Sequence, residues 1–151
     1  MRPYALSFLS EMSEMFEIIV FTAGTKNYAD WILNQIDSSR HVSHWLYRHH
    51  TMPEGEVYIK DLDLLNWDLK STVIVDNLWE NYMYHKENGV EIASWYDDYS
   101  DRCLYHLGEI LWEIYNHWRW NPENFDIWNE LTHRHSLIKD LVSWRDEPTF
   151  N

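Results

Sequence analysis

With 25 acidic against 12 basic residues, the 151-residue chain carries a formal charge of −13. That argues against a nucleic-acid surface, because neutralising phosphates needs clustered Lys and Arg. Cys103 is the single cysteine, which excludes an internal disulfide, and no apolar run approaches the ~20 residues of a membrane span. The length suits one domain with a real core, yet ten Trp and ten Tyr exceed what a small core easily buries. Some of these rings are therefore expected at contacts with other molecules.

In chain order, Pro3 suits the first turn of a helix whose apolar positions are Ala5, Phe8, Leu9, Met12 and Met15. Residues 17–22 follow as a buried strand that stops at Thr22-Ala23-Gly24. Thr25 is a candidate cap for a second helix, with Tyr28, Ala29, Ile32, Leu33 and Ile36 on one face. Residues 37–58 read as a small β excursion rather than a further βα unit. Its strands would be Trp45-Leu46-Tyr47 and Val57-Tyr58-Ile59, joined by turn chemistry in Met52-Pro53-Glu54-Gly55-Glu56. His41, His44, His49 and His50 fall in this region, but the Cys ligands of a typical zinc site are missing nearby, and ordinary histidines are expected.

Thr72-Val73-Ile74-Val75 is a second β-branched run, ending abruptly in Asp76-Asn77. Ligands in open α/β sheets bind beyond the carboxyl ends of strands, so Thr22, Asp76 and Asn77 are placed where chemistry would occur. The plainer reading is that Asp76 and Asn77 only end a strand and begin a turn. Gly89-Val90-Glu91-Ile92 reads as the last strand. Ser100 could cap a long helix with Leu104, Leu107, Ile110, Leu111, Ile114 and Trp118 as its stripe. Asn121-Pro122 then opens a tail of two short helices, packed on the domain or on a neighbour.

Phe21-Thr22-Ala23, Tyr58-Ile59-Lys60-Asp61-Leu62 and Val73-Ile74-Val75-Asp76-Asn77 resemble, in order and spacing, the later motifs of one family. That family is the small C-terminal-domain and Dullard-like (NLI-interacting-factor-like) phosphatases of the haloacid dehalogenase superfamily. Arg2-Pro3 with Phe8-Leu9, and Ala93-Ser94-Trp95-Tyr96 with Ser100-Asp101, look like it too. The resemblance covers roughly residues 2 to 115. Leu65-Asn66-Trp67-Asp68-Leu69 is also similar to the corresponding segment of the mitochondrial presequence receptor, which shares the domain.

The resemblance implies an α/β, Rossmannoid parallel sheet with a small β insertion over residues 1–118, and a helical C-terminal extension over 119–151. It implies roles as well. Thr22 would hydrogen-bond a phosphate oxygen, Lys60 would neutralise phosphate and nucleophile, Asp76 would orient Lys60, and Asn77 would help hold Mg²⁺. The family's opening strand, ending in Asp-x-Asp-x-Thr and carrying the nucleophile, is not found in these 151 residues. Asp61-Leu62-Asp63 is a tempting substitute, but Leu65 stands where the Thr belongs, and it reads as a helix or turn entry. Leu78-Trp79 replaces the usual Ser-Pro after Asn77.

Three functions follow from this reading. The first is a non-catalytic, phosphatase-like subunit of a larger assembly, inactive and without a cofactor of its own. Its tail would make contacts through Trp118, Trp120, Trp128 or Trp144. The second is a fragment or split half of a Mg²⁺-dependent aspartyl-nucleophile protein serine/threonine phosphatase. The third is an acidic module for basic presequence-like peptides. An intracellular setting is expected, and a mitochondrial one follows from the receptor resemblance alone. The superfamily topology places the missing strand between residues 17–22 and 72–76, so a partner chain is expected to supply a strand there.

Overall fold

The computed structural model describes residues 1–143. Helix α1 (Ala5–Ser13) leads into strand β1 (Ile18–Phe21), and α2 (Lys26–Ile36) connects β1 to β2 (Val42–Leu46). β1 and β2 pair in parallel, with Val20 opposite Trp45 and Phe21 opposite Leu46. Thr25 is the residue before α2 but makes no side-chain cap. At the other end of α2, buried Asp37 accepts hydrogen bonds from the backbone N–H groups of His41 (2.6 Å) and Val42 (3.1 Å). That carboxylate fixes the loop that delivers β2.

The stretch 37–58 therefore differs from the sequence expectation. Trp45 and Leu46 lie in a parallel strand of a βαβ unit, not in a local hairpin. The hairpin is shorter and later: β3 (Met52–Glu54) pairs antiparallel with β4 (Val57–Ile59). The residues read as a turn include a strand, because Pro53 sits where a ladder N–H is not needed. The turn itself is Gly55-Glu56, and Gly55 takes φ 60°, the left-handed conformation a two-residue hairpin requires.

β5 (Ile74–Asp76) and β6 (Gly89–Glu91) form the second parallel pair, with Val75 opposite Val90. An irregular 3₁₀ stretch, Trp79–Asn88, joins them and leaves helical geometry at Tyr82 and His85. Buried Tyr82 lies so close to the backbone of β6 that a Cβ on Gly89 would sit 2.0 Å from its Cε2. Glycine at 89 is what allows the ring to pack there.

The long helix α3 (Cys103–Trp120) buries Cys103, Leu107, Ile110, Leu111 and Ile114. Ser100 does not cap it: its hydroxyl donates to Asp98 (2.7 Å), while the Asp101 carboxylate accepts from Cys103 N–H (3.0 Å). After a turn at Pro122–Asn124 come α4 (Ile127–His133), capped by Asp126, and α5 (His135–Ser143). Ile127 and Leu131 of α4 and Leu141 of α5 join Met12, Val90 and the α3 stripe in one apolar cluster.

Two polar ties reinforce that packing. Leu141 C=O accepts from Ala93 N–H at 3.0 Å. Asn88, fully buried, donates to the carbonyls of Leu69 (2.6 Å) and Thr72 (2.9 Å), and its own Oδ1 accepts from Trp128 Nε1 at 3.0 Å. Trp118 and Trp120 are exposed, the latter to 88%; Trp144 lies outside the described residues.

β1 pairs with β2 and β5 with β6, but among the described residues no ladder joins β1 to β5. All four β1 side chains are only partly buried. Apolar strands of a parallel sheet are ordinarily covered on both faces, so this run is under-covered for its composition.

Deleting residues 119–151 strips Ile127, Leu131 and Leu141 from the core. The truncated chain is expected to lose its cooperative thermal transition in calorimetry, because several buried aliphatic side chains at ~1.5–3 kcal/mol each approach the stability of a whole domain.

Burial, and then the nearby charges of Glu91, Asp76 and Glu80, push the Tyr82 phenol up to about 12. Below its ordinary value of 10 the phenol is protonated in both folded and unfolded chains. Between there and about 12 only the unfolded chain releases the proton, so unfolding is favoured progressively. Urea midpoints should fall across that alkaline window, and Tyr82→Phe should flatten the decline.

Candidate functional site

The carboxyl ends of β1 and β5 open onto a shared cavity of about 490 Å³. Thr22, Lys60, Asp76 and Asn77, which come from three separate chain segments, all line it, together with Arg2 and Ser94. β1 brings Thr22 there, the residue after β4 brings Lys60, and β5 ends on Asp76.

The centre of the cavity is an ion pair. Lys60 Nζ donates to Asp76 Oδ2 at 2.5 Å, with the two side chains 11% and 3% exposed. Asp76 Oδ1 accepts from Leu78 N–H (3.0 Å) and from the Asn81 amide (3.1 Å). Asn81 also returns its backbone carbonyl to Lys60 N–H at 2.7 Å. Both carboxylate oxygens are thus held, which is the condition for a buried charge to be tolerated. Lys60 is aimed by Asp76 rather than left to wander.

Around this pair the other groups are fixed by short local bonds. Thr22 Oγ1 accepts from Gly24 N–H at 2.9 Å, which forms the tight turn after β1. The Asn77 amide donates to Ser94 Oγ at 2.9 Å, linking the ends of β5 and β6. Arg2 spans the domain: Nε and NH2 bond the Asp101 carboxylate at 3.1 and 2.9 Å, while NH1 donates to Ala93 C=O at 2.7 Å. The Arg2 clamp is a feature sequence reasoning missed. The motif positions were visible, but nothing in one sequence links residues 99 apart. Asn81 was missed for a simpler reason, since it sits in an irregular stretch without periodicity.

Asp61 and Asp63 are elsewhere. Asp61 Oδ1 accepts from Asp63 N–H (3.0 Å) and meets His85 Nε2 at 2.9 Å, opening the 3₁₀ turn Leu62–Leu65. Neither residue lines the cavity. The expected turn entry is what the structure contains. Of the histidines at 41–50, His41 meets Ser13 Oγ at 3.1 Å, His44 pairs with Glu17 at 3.7 Å, and His49 packs on His50.

A magnesium ion needs several anionic oxygens in near-octahedral geometry. In this cavity the Asp76 carboxylate is already engaged by Lys60, and Asn77 offers one neutral amide oxygen. The residues that line this cavity do not by themselves fit the ion.

The model of the NLI interacting factor-like phosphatases matches residues 1–119. The chain belongs to this family. A probable C-terminal domain small phosphatase of Dictyostelium discoideum is 44% identical over 110 residues, covering 73% of this chain and 36% of that protein. The human carboxy-terminal domain RNA polymerase II polypeptide A small phosphatase 2 is 38% identical over 113 residues, covering 75% of this chain and 42% of that protein. The chain spans less than half the length of these relatives. Among solved structures, the fission yeast RNA polymerase II CTD phosphatase Fcp1, bound to beryllium fluoride, superposes with a TM-score of 0.66 at 16% identity. That likeness covers 93% of this chain and 53% of Fcp1, and it establishes the haloacid-dehalogenase-like α/β fold. The relatives named here are phosphatases, and nothing in them supports a mitochondrial placement. Among the described residues no helix is long and apolar enough to cross a membrane.

Removing one member of the central pair leaves the other buried and uncompensated, at about 3–5 kcal/mol. Lys60→Met and Asp76→Asn should each lower the urea midpoint strongly. The double variant should lose clearly less than the sum of the two, as coupled groups do.

Proposed function

We propose that these residues form the larger part of a phosphatase domain for phosphoserine or phosphothreonine in proteins. Its acidic nucleophile would arrive on a strand lying between β1 and β5. The observation that carries this reading is the convergence of Thr22, Lys60, Asp76 and Asn77 on one cavity at two strand ends that share no ladder. Membership of a phosphatase family, and relatives that are themselves described as phosphatases, favour this divided-site reading over an inert subunit.

The unjoined edges supply a physical reason for a further strand. Each buried, unpaired backbone group costs about 1–3 kcal/mol, so a strand that satisfies both edges is strongly favoured over open ones. A parallel apolar segment there would cover the half-exposed side chains of β1. Its carboxyl end would emerge in the cavity beside Lys60. It would have to bring the carboxylates this chain lacks, both as nucleophile and as the anionic ligands a Mg²⁺ ion requires.

The work of the residues at hand follows from their geometry. The Lys60 ammonium, held by Asp76, is a fixed cation where phosphoryl charge develops, and such preorganised charge is worth most in a partly dry site. Thr22 Oγ1 accepts from Gly24 N–H, which leaves its hydroxyl proton available to a phosphate oxygen. Asn77 is kept in place by Ser94 at the mouth.

Hydrolysis of p-nitrophenyl phosphate with Mg²⁺ tests the reading. The 151 residues alone should stay at buffer level. Co-expression with an apolar segment ending in Asp-x-Asp-x-Thr should confer activity, and Lys60→Ala should then reduce it by about 10²-fold or more. A segment that binds and stabilises the chain without conferring activity would return the inert-subunit reading. Activity of the chain alone, abolished by Asp63→Asn, would overturn the proposal.

A further inference from the structure

Three side chains with metal-binding donor atoms converge just beyond β4. Asp61, one residue after Lys60, opens the 3₁₀ turn Leu62–Leu65, and its carboxylate accepts from Asp63 N–H at 3.0 Å. Two carboxylates thus stand at the start of one short turn. The third group comes from a distant segment. His85 lies in the stretch Trp79–Asn88 at a position that leaves helical geometry (φ −137°, ψ 49°), and its side chain is 5% exposed. His85 Nε2 is 2.9 Å from Asp61 Oδ1 and 3.9 Å from Asp63 Oδ2. One donor atom from each of the three residues lies within 4.8 Å of the other two. None of the three lines the cavity at the strand ends.

The charges in this group do not balance. Two carboxylates share one imidazole, and among the described residues neither has a Lys or Arg partner. The Asp61 side chain is 14% exposed and that of Asp63 73%, so the group is buried on the His85 side and open to solvent at Asp63. Two donors on a tetrahedral Zn²⁺, each bonded at about 2.0–2.2 Å, stand ~3.4 Å apart. The observed 2.9 and 3.9 Å bracket that spacing. An ion would need His85 and Asp61 to part by about 0.5 Å, and the exposed Asp63 to close by about as much.

We propose that Asp61, Asp63 and His85 bind one divalent transition-metal ion of the zinc class, at a site separate from the phosphoryl cavity. An imidazole nitrogen beside two carboxylates suits Zn²⁺, whereas Mg²⁺ prefers oxygen donors in an octahedral array. The bond from Asp63 N–H fixes the Asp61 carboxylate, as outer-shell donors do in metal sites. Three protein donors leave a fourth position for water, on the open Asp63 side. The place of the ion in the fold gives its role. Asp61 follows Lys60 in the chain, and His85 belongs to the same stretch as Asn81, which holds both the Asp76 carboxylate and the Lys60 N–H. An ion bridging the turn to His85 clasps together the two segments behind the Lys60–Asp76 pair. The proposal is independent of the phosphatase reading, since it requires neither the cavity nor a donated strand.

Isothermal titration calorimetry of Zn²⁺ into the chelator-treated chain tests it. One equivalent should bind saturably, and the thermal midpoint should rise with free Zn²⁺. Asp63→Asn, an exposed change that leaves the His85–Asp61 contact in place, should weaken binding at least about tenfold, as should His85→Gln. His44→Gln with His49→Gln, which alters two exposed rings outside the group, should leave binding unchanged. In ¹H–¹⁵N spectra of the imidazoles, His85 should be the ring whose Nε2 resonance shifts when Zn²⁺ is added. Where His85→Gln fails to fold, Asp63→Asn and these spectra decide. Binding that Asp63→Asn leaves intact, a shift confined to other histidines, or no saturable uptake would overturn the proposal. Displacement of the ion by an equimolar amount of Mg²⁺ would overturn its assignment to the zinc class.

Discussion

Lys60 and Asp76 meet at 2.5 Å with their side chains almost wholly buried. Two charges in that position are tolerated because they neutralise each other and because both carboxylate oxygens are met nearby. Leu78 and Asn81 hold the second carboxylate oxygen, and Asn81 also accepts the Lys60 backbone N–H. The pair ties the end of the β3–β4 hairpin to the end of β5, and so brings three chain segments to one point. The same arrangement makes the lysine head a fixed positive charge in the lining of a cavity. The contacts that close the structure here are the same contacts that fix the lysine head.

The sheet is organised around an interval rather than a centre. β1–β2 and β5–β6 are both parallel and both well formed, yet no ladder crosses between them. α1 and α3 pack together over the structure, and α3 gathers the tail helices beneath it, so the helical layer is continuous where the sheet is not.

Much of the frame was legible in the sequence. β1, β5 and β6 are short apolar runs bounded by polar residues, and α3 has a long unbroken stripe, so period and boundary sufficed. Thr22, Asp76 and Asn77 are legible as residues at strand ends, whereas Lys60 is singled out only by the family resemblance. The region 37–58 was misread because β2 is mixed in character: Val42, Trp45 and Leu46 alternate poorly with Ser43 and His44, and Pro53 suggests a turn where an edge strand lies. Ser100 suits a cap by residue type alone, whereas it is the Asp101 carboxylate that accepts the Cys103 N–H while also holding Arg2. Contacts such as Arg2 to Asp101, or Trp128 to Asn88, join distant segments and leave no local trace.

The tie between Asn88 and Trp128 has a consequence for how the protein is made. Asn88 braces the carbonyls of Leu69 and Thr72, just before β5, and is itself braced from α4. Ala93, just after β6, is bonded to Leu141 in α5. The strands that carry the site are thus secured by residues synthesised some forty positions later. During translation at ~5–20 residues per second, β5 and β6 leave the ribosome seconds before their supports do. The nascent chain passes through an interval in which its apolar strands are complete but unanchored, and a chaperone that shields short β-rich segments would act in that interval rather than after release.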